Sequence, residues 1–366
     1  MNNSSFENLL DIFSRAGKYP ELVAEFHLLN SENKKTRQEA EEELFRRSYH
    51  QGDIGVVAPF VIPFFIDRLD REMNLRILES LLIELGCLAS GSSRNINLEN
   101  CEEEYTEEEK IQITEALALF AETQSALSDG VARYFYLLNH DSVFIRNSTI
   151  YLLMYCQFQL ENIVQIFYST FQLENHEDIK SLIVFGLVIL SDRNCLEIDT
   201  VFLSDILISS ATDSVKLSAA IALAHVEEEN ISGIAFARLL ELSKKDGLWE
   251  HIRVHESALP FHILHFVDRL NDEQTFQLVE AMMQGWGLDD SVDDLILLVF
   301  KCDDDDDFWQ EREIDSISKL QLSFLQKVAS TDNVSYSSTL GNLLMTFGLR
   351  GDDEQNREKL IELLNR

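Results

Sequence analysis

Between about Gly130 and Leu223 the alternation of polar and apolar positions recurs at a fixed interval. Asn139-His140-Asp141-Ser142-Val143, His176-Glu177-Asp178-Ile179 and Ala211-Thr212-Asp213-Ser214-Val215 align, so that an acidic residue (Asp141, Glu177, Asp213) and a branched apolar residue (Val143, Ile179, Val215) return every 36 residues. Each opens an apolar run of helical character, and Lys180 and Lys216 follow the second and third. A period in the tens of residues, built from paired helices, is the pattern of a solenoid. Ile179, Leu182, Ile183, Gly186, Leu187 and Leu190 fall at i, i+3, i+4, i+7, i+8 and i+11, which predicts one buried helical face. The small residues from Ser218 to Ala224 predict close approach of a neighbouring helix, and Asp141 and Asp213 stand where N-caps are expected.

The same patterning extends outward. Phe6, Leu9, Leu10 and Phe13 make an apolar stripe, and Asn30-Ser31 offers cap oxygens ahead of a charged helix over Glu32–Tyr49. A glycine-bearing turn, Ser48 to Gly55, leads to an apolar run whose helix should start near Pro59 or Pro63, where a first-turn donor is dispensable. Met73–Ala89 reads as a helix with a wide core face. An acidic, glycine- and asparagine-bearing stretch then interrupts the repeats, and Thr106 with Glu109 matches a capping box that restarts a helix near Glu107, running to about Leu127. Beyond Val226 the candidate helices are Ile231–Ser243, Trp249–Ser257, Pro260–Leu270, Gln274–Gln284, Ser291–Phe300, Glu313–Ala329, Ser335–Leu349 and Asp352–Leu364. Few alternating, β-branched runs occur, so strands are not expected. The expectation is an all-α chain forming one continuous body over 1–366: capping helices at 1–49, repeats at 50–300 with an acidic insertion near 91–106, and an acidic loop with capping helices at 301–366.

Two segments carry a family likeness. Tyr49-His50-Gln51-Gly52 with Ala58-Pro59 through Pro63-Phe64 and Leu78–Leu85 is one; Gly130-Val131, Tyr134, Leu137-Leu138, Asp141, Arg146 and Tyr151-Leu152-Leu153 is the other. Over residues 44–157 the chain resembles bacterial HEAT-repeat proteins, departing from their habit where the turn continues Asp53-Ile54-Gly55. The resemblance implies a right-handed HEAT- or armadillo-like helical-repeat solenoid that serves as a protein-interaction scaffold, with immunity or regulatory partners of toxins among its members. The Trp/Gly/Tyr/Pro pattern of tetratricopeptide repeats and the Thr-Pro-Leu-His of ankyrin repeats are missing from the sequence.

Composition narrows the partner. Hydrophobic residues make up 45% of the 366, enough for a long core, while the formal net charge is −34. That charge opposes direct nucleic-acid binding, which requires a basic stripe, and opposes docking on anionic membranes. A basic protein is the expected partner. Met1-Asn2-Asn3-Ser4-Ser5 lacks the basic region and apolar core of a signal peptide, and the apolar runs Val56–Ile66 and Leu182–Leu190 are too short to span a bilayer. Five scattered cysteines without CxxC spacing read as reduced thiols, so a cytoplasmic location is expected.

Candidate binding residues are few. The run Asp303, Asp304, Asp305, Asp306, Asp307 followed by Phe308 and Trp309 is either a solvated loop or a contact that offers charge for Lys or Arg beside apolar anchors. Its consecutive carboxylates lack the alternating spacing and glycine of a calcium loop. His50 and Gln51 form either a polar recognition loop or a hydrogen-bonded turn. Arg146 bonds the preceding turn, or an acidic neighbour, or belongs to the binding surface. His251, His255, His262 and His265 lack an HExxH arrangement and Pro260 separates the two pairs, so neither metal nor cofactor is expected. No GxSxG, GxxxxGK[ST] or GxGxxG occurs. The reading is a non-catalytic scaffold, inhibitor or adaptor. Its alternatives are an enzyme on the same scaffold, such as a chromophore lyase or a base-excision enzyme, and an acidic nucleic-acid mimic.

Overall fold

The computed structural model describes residues 22–29, 31–50, 52–91, 106–194, 196–209, 211–227, 231, 233–245, 248, 270–286, 295–296, 299–300, 317–330, 338–349 and 355–365. Among them the fold is all-α: sixteen helices and one two-stranded ribbon. The chain divides into two compact units, Met1–Glu197 and Ile198–Arg366.

The first unit opens with α1 (Val23–Leu28) and α2 (Lys34–Ser48). Asn33, not Asn30-Ser31, caps α2: its side-chain oxygen accepts from the Lys35 amide at 2.9 Å. Ser31 accepts instead from the Asn33 amide, which presents that cap. The turn expected after Ser48 contains short strands, β1 (Tyr49–His50) and β2 (Asp53–Ile54), paired antiparallel with Tyr49 opposite Ile54 and His50 opposite Asp53. Gly52 at φ +97° makes this reversal possible, since that region is costly for residues with a Cβ. Two residues per strand leave no room for alternation, which is why strand patterning does not reveal them.

α3 (Ala58–Leu69) starts on the Ala58-Pro59 side of the expected choice, with Pro63 left inside the helix. α4 (Leu75–Ser90) begins after Asn74, whose side chain accepts from the Arg76 amide at 3.1 Å; Met73 therefore lies outside the helix, 91% exposed. α5 (Glu107–Ser128) starts where the capping-box match places it. α6 (Val131–Leu137), α7 (Val143–Leu153), α8 (Leu160–Leu173) and α9 (Glu177–Asn194) complete the unit.

Second helices of successive pairs pack in a row, α4 on α7 and α7 on α9, while α3 packs on α5 and α8 on α9. Gly86 of α4 lets Tyr151 of α7 lie against the helix backbone; a Cβ there would stand 2.4 Å from the tyrosine ring. Gln124 of α5 closes the far ends of two of these helices. Its side-chain amide donates to the Ala89 carbonyl at 3.0 Å and the Tyr155 carbonyl at 3.4 Å, and its oxygen accepts from the Gln157 amide at 2.9 Å. One buried side chain thus satisfies carbonyls that helix ends leave without partners.

In the second unit, α10 (Thr200–Ile208) packs on α11 (Asp213–Val226), α11 on α12 (Gly233–Ser243), and α12 on α13 (Asp272–Trp286). α14 (Lys319–Ser330), α15 (Ser338–Thr346) and α16 (Asn356–Leu364) follow, α16 packing on both of the others.

Two expectations need correction. α9 is buried beyond the one face expected of it, since Ser181 to Leu190 is a continuous run of buried residues; in α11 the corresponding run is Leu217 to Ala224. α9 packs on both α7 and α8, and α11 on both α10 and α12, so apolar or small residues extend beyond a single stripe. Neither Asp141 nor Asp213 is an N-cap. The cap positions belong to Ser142 and Thr212, neither of which makes a side-chain cap hydrogen bond. The His140 ring accepts from the Ser142 amide at 3.0 Å, and the Asp213 carboxylate is taken by Lys245 at 2.6 Å. No helix among the described residues is long and apolar enough to cross a membrane.

Candidate functional site

Of the candidate binding residues, Asp303 to Asp307, Phe308, Trp309 and Gln51 lie outside the described residues, as do His251, His255, His262 and His265 and the helices expected at Trp249–Ser257 and over residues 6–13. His50 is exposed on β1.

Arg146, in the second turn of α7, clamps two turns together. Its guanidinium donates to both carboxylate oxygens of Glu174, at 2.8 and 3.1 Å, and to the carbonyls of His140 and Asp141, at 2.8 and 3.1 Å. Burial by itself would raise the Glu174 pKa; the hydrogen bonds from Arg146 and from the His176 and Asn175 amides outweigh it and hold the carboxyl below its ordinary range. Asp70, between α3 and α4, likewise accepts from Arg133 of α6 at 2.7 Å, and Asp213 pairs with Lys245 in the second unit. Three acidic residues, Asp70, Glu174 and Asp213, thus bridge separate helices.

These same turns carry exposed apolar side chains. Met73 and Leu75 lie beside the turn of Asp70, Tyr136 and Phe144 flank the turn of Asp141, Leu173 precedes Glu174, and Ile208 ends α10. Phe144 and Leu173, 67% and 78% exposed, belong to the two turns that Arg146 holds together. Isolated exposed apolar residues are ordinary; in the first unit they recur at successive turns, beside the bridges. Periodicity does not reveal them, because it marks the faces of helices and these stand at helix ends.

A second feature is a polar cleft of about 270 Å³ between α2 and α4. Exposed Lys34, Gln38, Glu42 and Arg76 line its mouth, and Glu41, Ile77 and Ser80 lie deeper. Glu41 is 4% exposed, and its carboxyl has no hydrogen-bond partner among the described residues. Burial pushes it up to about 7; Arg68 opposes the shift, and Glu72 and Glu42 add to it. Behind Ser80 lies Glu84, 6% exposed, accepting one 3.4 Å hydrogen bond from Ser80 while its Oε2 has no partner. Burial, then the proximity of Glu41, holds Glu84 well above the usual carboxylate range. Among the described residues no group of three or more His, Cys, Asp or Glu side chains is placed to hold a metal ion.

No protein-family model matches the chain, and no curated protein matches it. Among solved structures, the crystal structure of an engineered protein from the Northeast Structural Genomics Consortium is 13% identical, covering 93% of this chain and 98% of its own length, with a TM-score of 0.29. A likeness at that level carries no argument about fold or function.

Proposed function

We propose that the chain is a non-catalytic, HEAT-like protein-binding scaffold, a right-handed helical-repeat solenoid of the cytoplasm that holds a basic protein partner in a regulatory or immunity-type role. The carrying observation is the recurrence of exposed apolar side chains at turns that inter-pair ion bridges hold in place, with Phe144 and Leu173 beside the Arg146–Glu174 bridge. Apolar anchors supply contact area, and the net charge of −34 steers a basic surface toward them. The Asp303–Asp307 run with Phe308 and Trp309 is the second proposed contact, and His50 with Gln51 a third. Free thiols at Cys87 and Cys156 fit a reducing compartment.

The test uses the purified chain as bait in a lysate of its own source at low and moderate salt. The retained protein is then purified and titrated against wild type, the double variant Phe144→Asp/Leu173→Asp, and a variant with Asp303–Asp307 changed to Asn. The expected result is a stoichiometric basic partner released by salt. Its affinity falls at least about ten-fold in the turn variant, and its salt dependence flattens in the Asn variant. Retention of nothing at either salt, or equal affinity in all three proteins, overturns the proposal.

A further inference from the structure

Arg68 and Arg71, the cations nearest the inner side of Glu41, are already committed: Arg68 to Glu72 at 2.6 Å and Arg71 to Asp67 at 2.7 Å. Behind Glu41 they line, with Asp67, a space of about 10 Å³, which holds about one water. Glu41 thus lines both this space and the cleft, and its carboxyl accepts no hydrogen bond among the described residues. An unpartnered buried carboxyl costs free energy that a donor arriving from the cleft recovers. The mouth has the opposite sign pattern. The ammonium of Lys34 and the guanidinium of Arg76 make no ion pair among the described residues, whereas Glu42 accepts from Gln38 at 2.9 Å. Between floor and mouth, Ile77 supplies an aliphatic wall.

We propose that the α2–α4 cleft binds a small zwitterion, an aminoalkyl carboxylate that enters ammonium first. Its ammonium donates to Glu41 and to the hydroxyl of Ser80, its methylene chain lies along Ile77, and its carboxylate meets Lys34 and Arg76 at the mouth. A simple anion is opposed by the carboxyl floor, and a simple cation leaves the two mouth cations without a counter-charge. A cleft of about 270 Å³ falls just below the roughly 300–1,000 Å³ of sites for drug-sized ligands, which suits a molecule of this size. The ammonium favours the ionised form of Glu41, so binding releases a proton near neutral pH and strengthens as pH rises through about 7. The charged and titratable groups around that carboxyl are Glu42 on its own helix, Asp67, Arg68, Arg71 and Glu72 from α3 and the turn after it, and Glu84 from α4.

The experiment is calorimetric titration of the full chain with three probes: 5-aminopentanoate, pentylamine and pentanoate. Saturable binding is expected for 5-aminopentanoate, about ten-fold weaker for pentylamine and absent for pentanoate. Glu41→Gln should weaken both amines at least about ten-fold, and the double variant Lys34→Ala/Arg76→Ala should weaken only 5-aminopentanoate. The latter two positions are exposed and lie outside the core, so that variant keeps its fold. Absence of saturable binding by any probe up to about 10 mM overturns the proposal. So does pentylamine binding as tightly as 5-aminopentanoate, or unchanged binding in Glu41→Gln. None of these results bears on the scaffold reading, which rests on the turns.

Discussion

Glu41 ties folding to pH with a sign opposite to that of most carboxylates. Its ordinary value is 4.5 and its folded value about 7, so between these the native chain holds a proton that the unfolded chain has released. Stability conferred by the neutral carboxyl is complete below about 4.5 and declines as pH rises to about 7, by an order of about 3 kcal/mol at 1.36 kcal/mol per unit. Glu84, also raised, adds in the same direction; Glu174, lowered, does the reverse, stabilising above its ordinary value and losing that effect as pH falls through its folded one. Glu41→Gln removes the first of these and relaxes the second, since the proximity of Glu41 is part of what raises Glu84. Urea midpoints at pH 5 and pH 8 should therefore converge in the variant relative to wild type, and equal pH dependence in the two proteins would contradict the assignment. Neither Glu41 nor Glu84 is visible in the sequence as special. Among 64 acidic residues, chance proximity is common, and only burial against α3 and α4 separates these two from the solvated majority.

At the scale of helices, the sequence was more informative. Apolar patterning located α4, α9 and α11, because a helix that must bury a face repeats its apolar residues at helical spacing, while cap signals located the charged α2 and α5. Their ends were less legible. Asn33, Asn74 and Ser142 hold the cap positions on account of local backbone geometry, which neighbouring Asn, Ser and Asp residues could equally have adopted. Arg146 was legible as a residue that bonds the preceding turn or an acidic neighbour; that it does both, and that Glu174 is the neighbour, was not, because the two stand on different helical pairs. This bridge joins α7 to the end of α8 with side chains 14% and 7% exposed, and removing one partner strands the other charge. Arg146→Ala should destabilise the fold by about 3–5 kcal/mol in urea unfolding followed by circular dichroism. Arg146→Lys, with a single donor point in place of the fork, should fall between that variant and wild type. A loss below about 1 kcal/mol in the alanine variant would place the bridge among ordinary surface pairs.

For the whole molecule the dominant electrostatic fact is the surplus of carboxylates, 64 against 30 basic side chains. Self-repulsion on that scale opposes compaction, while the Asp70–Arg133 and Asp213–Lys245 bridges are partly exposed and contribute little each. Screening should therefore stabilise. Raising monovalent salt from about 10 to about 150 mM shortens the Debye length from about 30 to about 8 Å, and Tm should rise. A fall in Tm would mean that the bridges outweigh the repulsion. All-α architecture was legible because every long apolar segment had helical spacing; the division at Glu197 was not, because the 36-residue period runs across it without a break.

The side chain of Gln124 has a consequence for how the ends of two helices are held. α5 rejoins the fold after the stretch between Gly91 and Thr106, and its Gln124 holds Ala89, Tyr155 and Gln157 through a single amide group. The register of α5 is thereby set by what it meets at its end, not by the length of chain that delivers it. Replacing that one side chain would accordingly loosen three backbone anchors on two helix ends at once, so the cost of Gln124→Ala should exceed that of an ordinary single hydrogen bond.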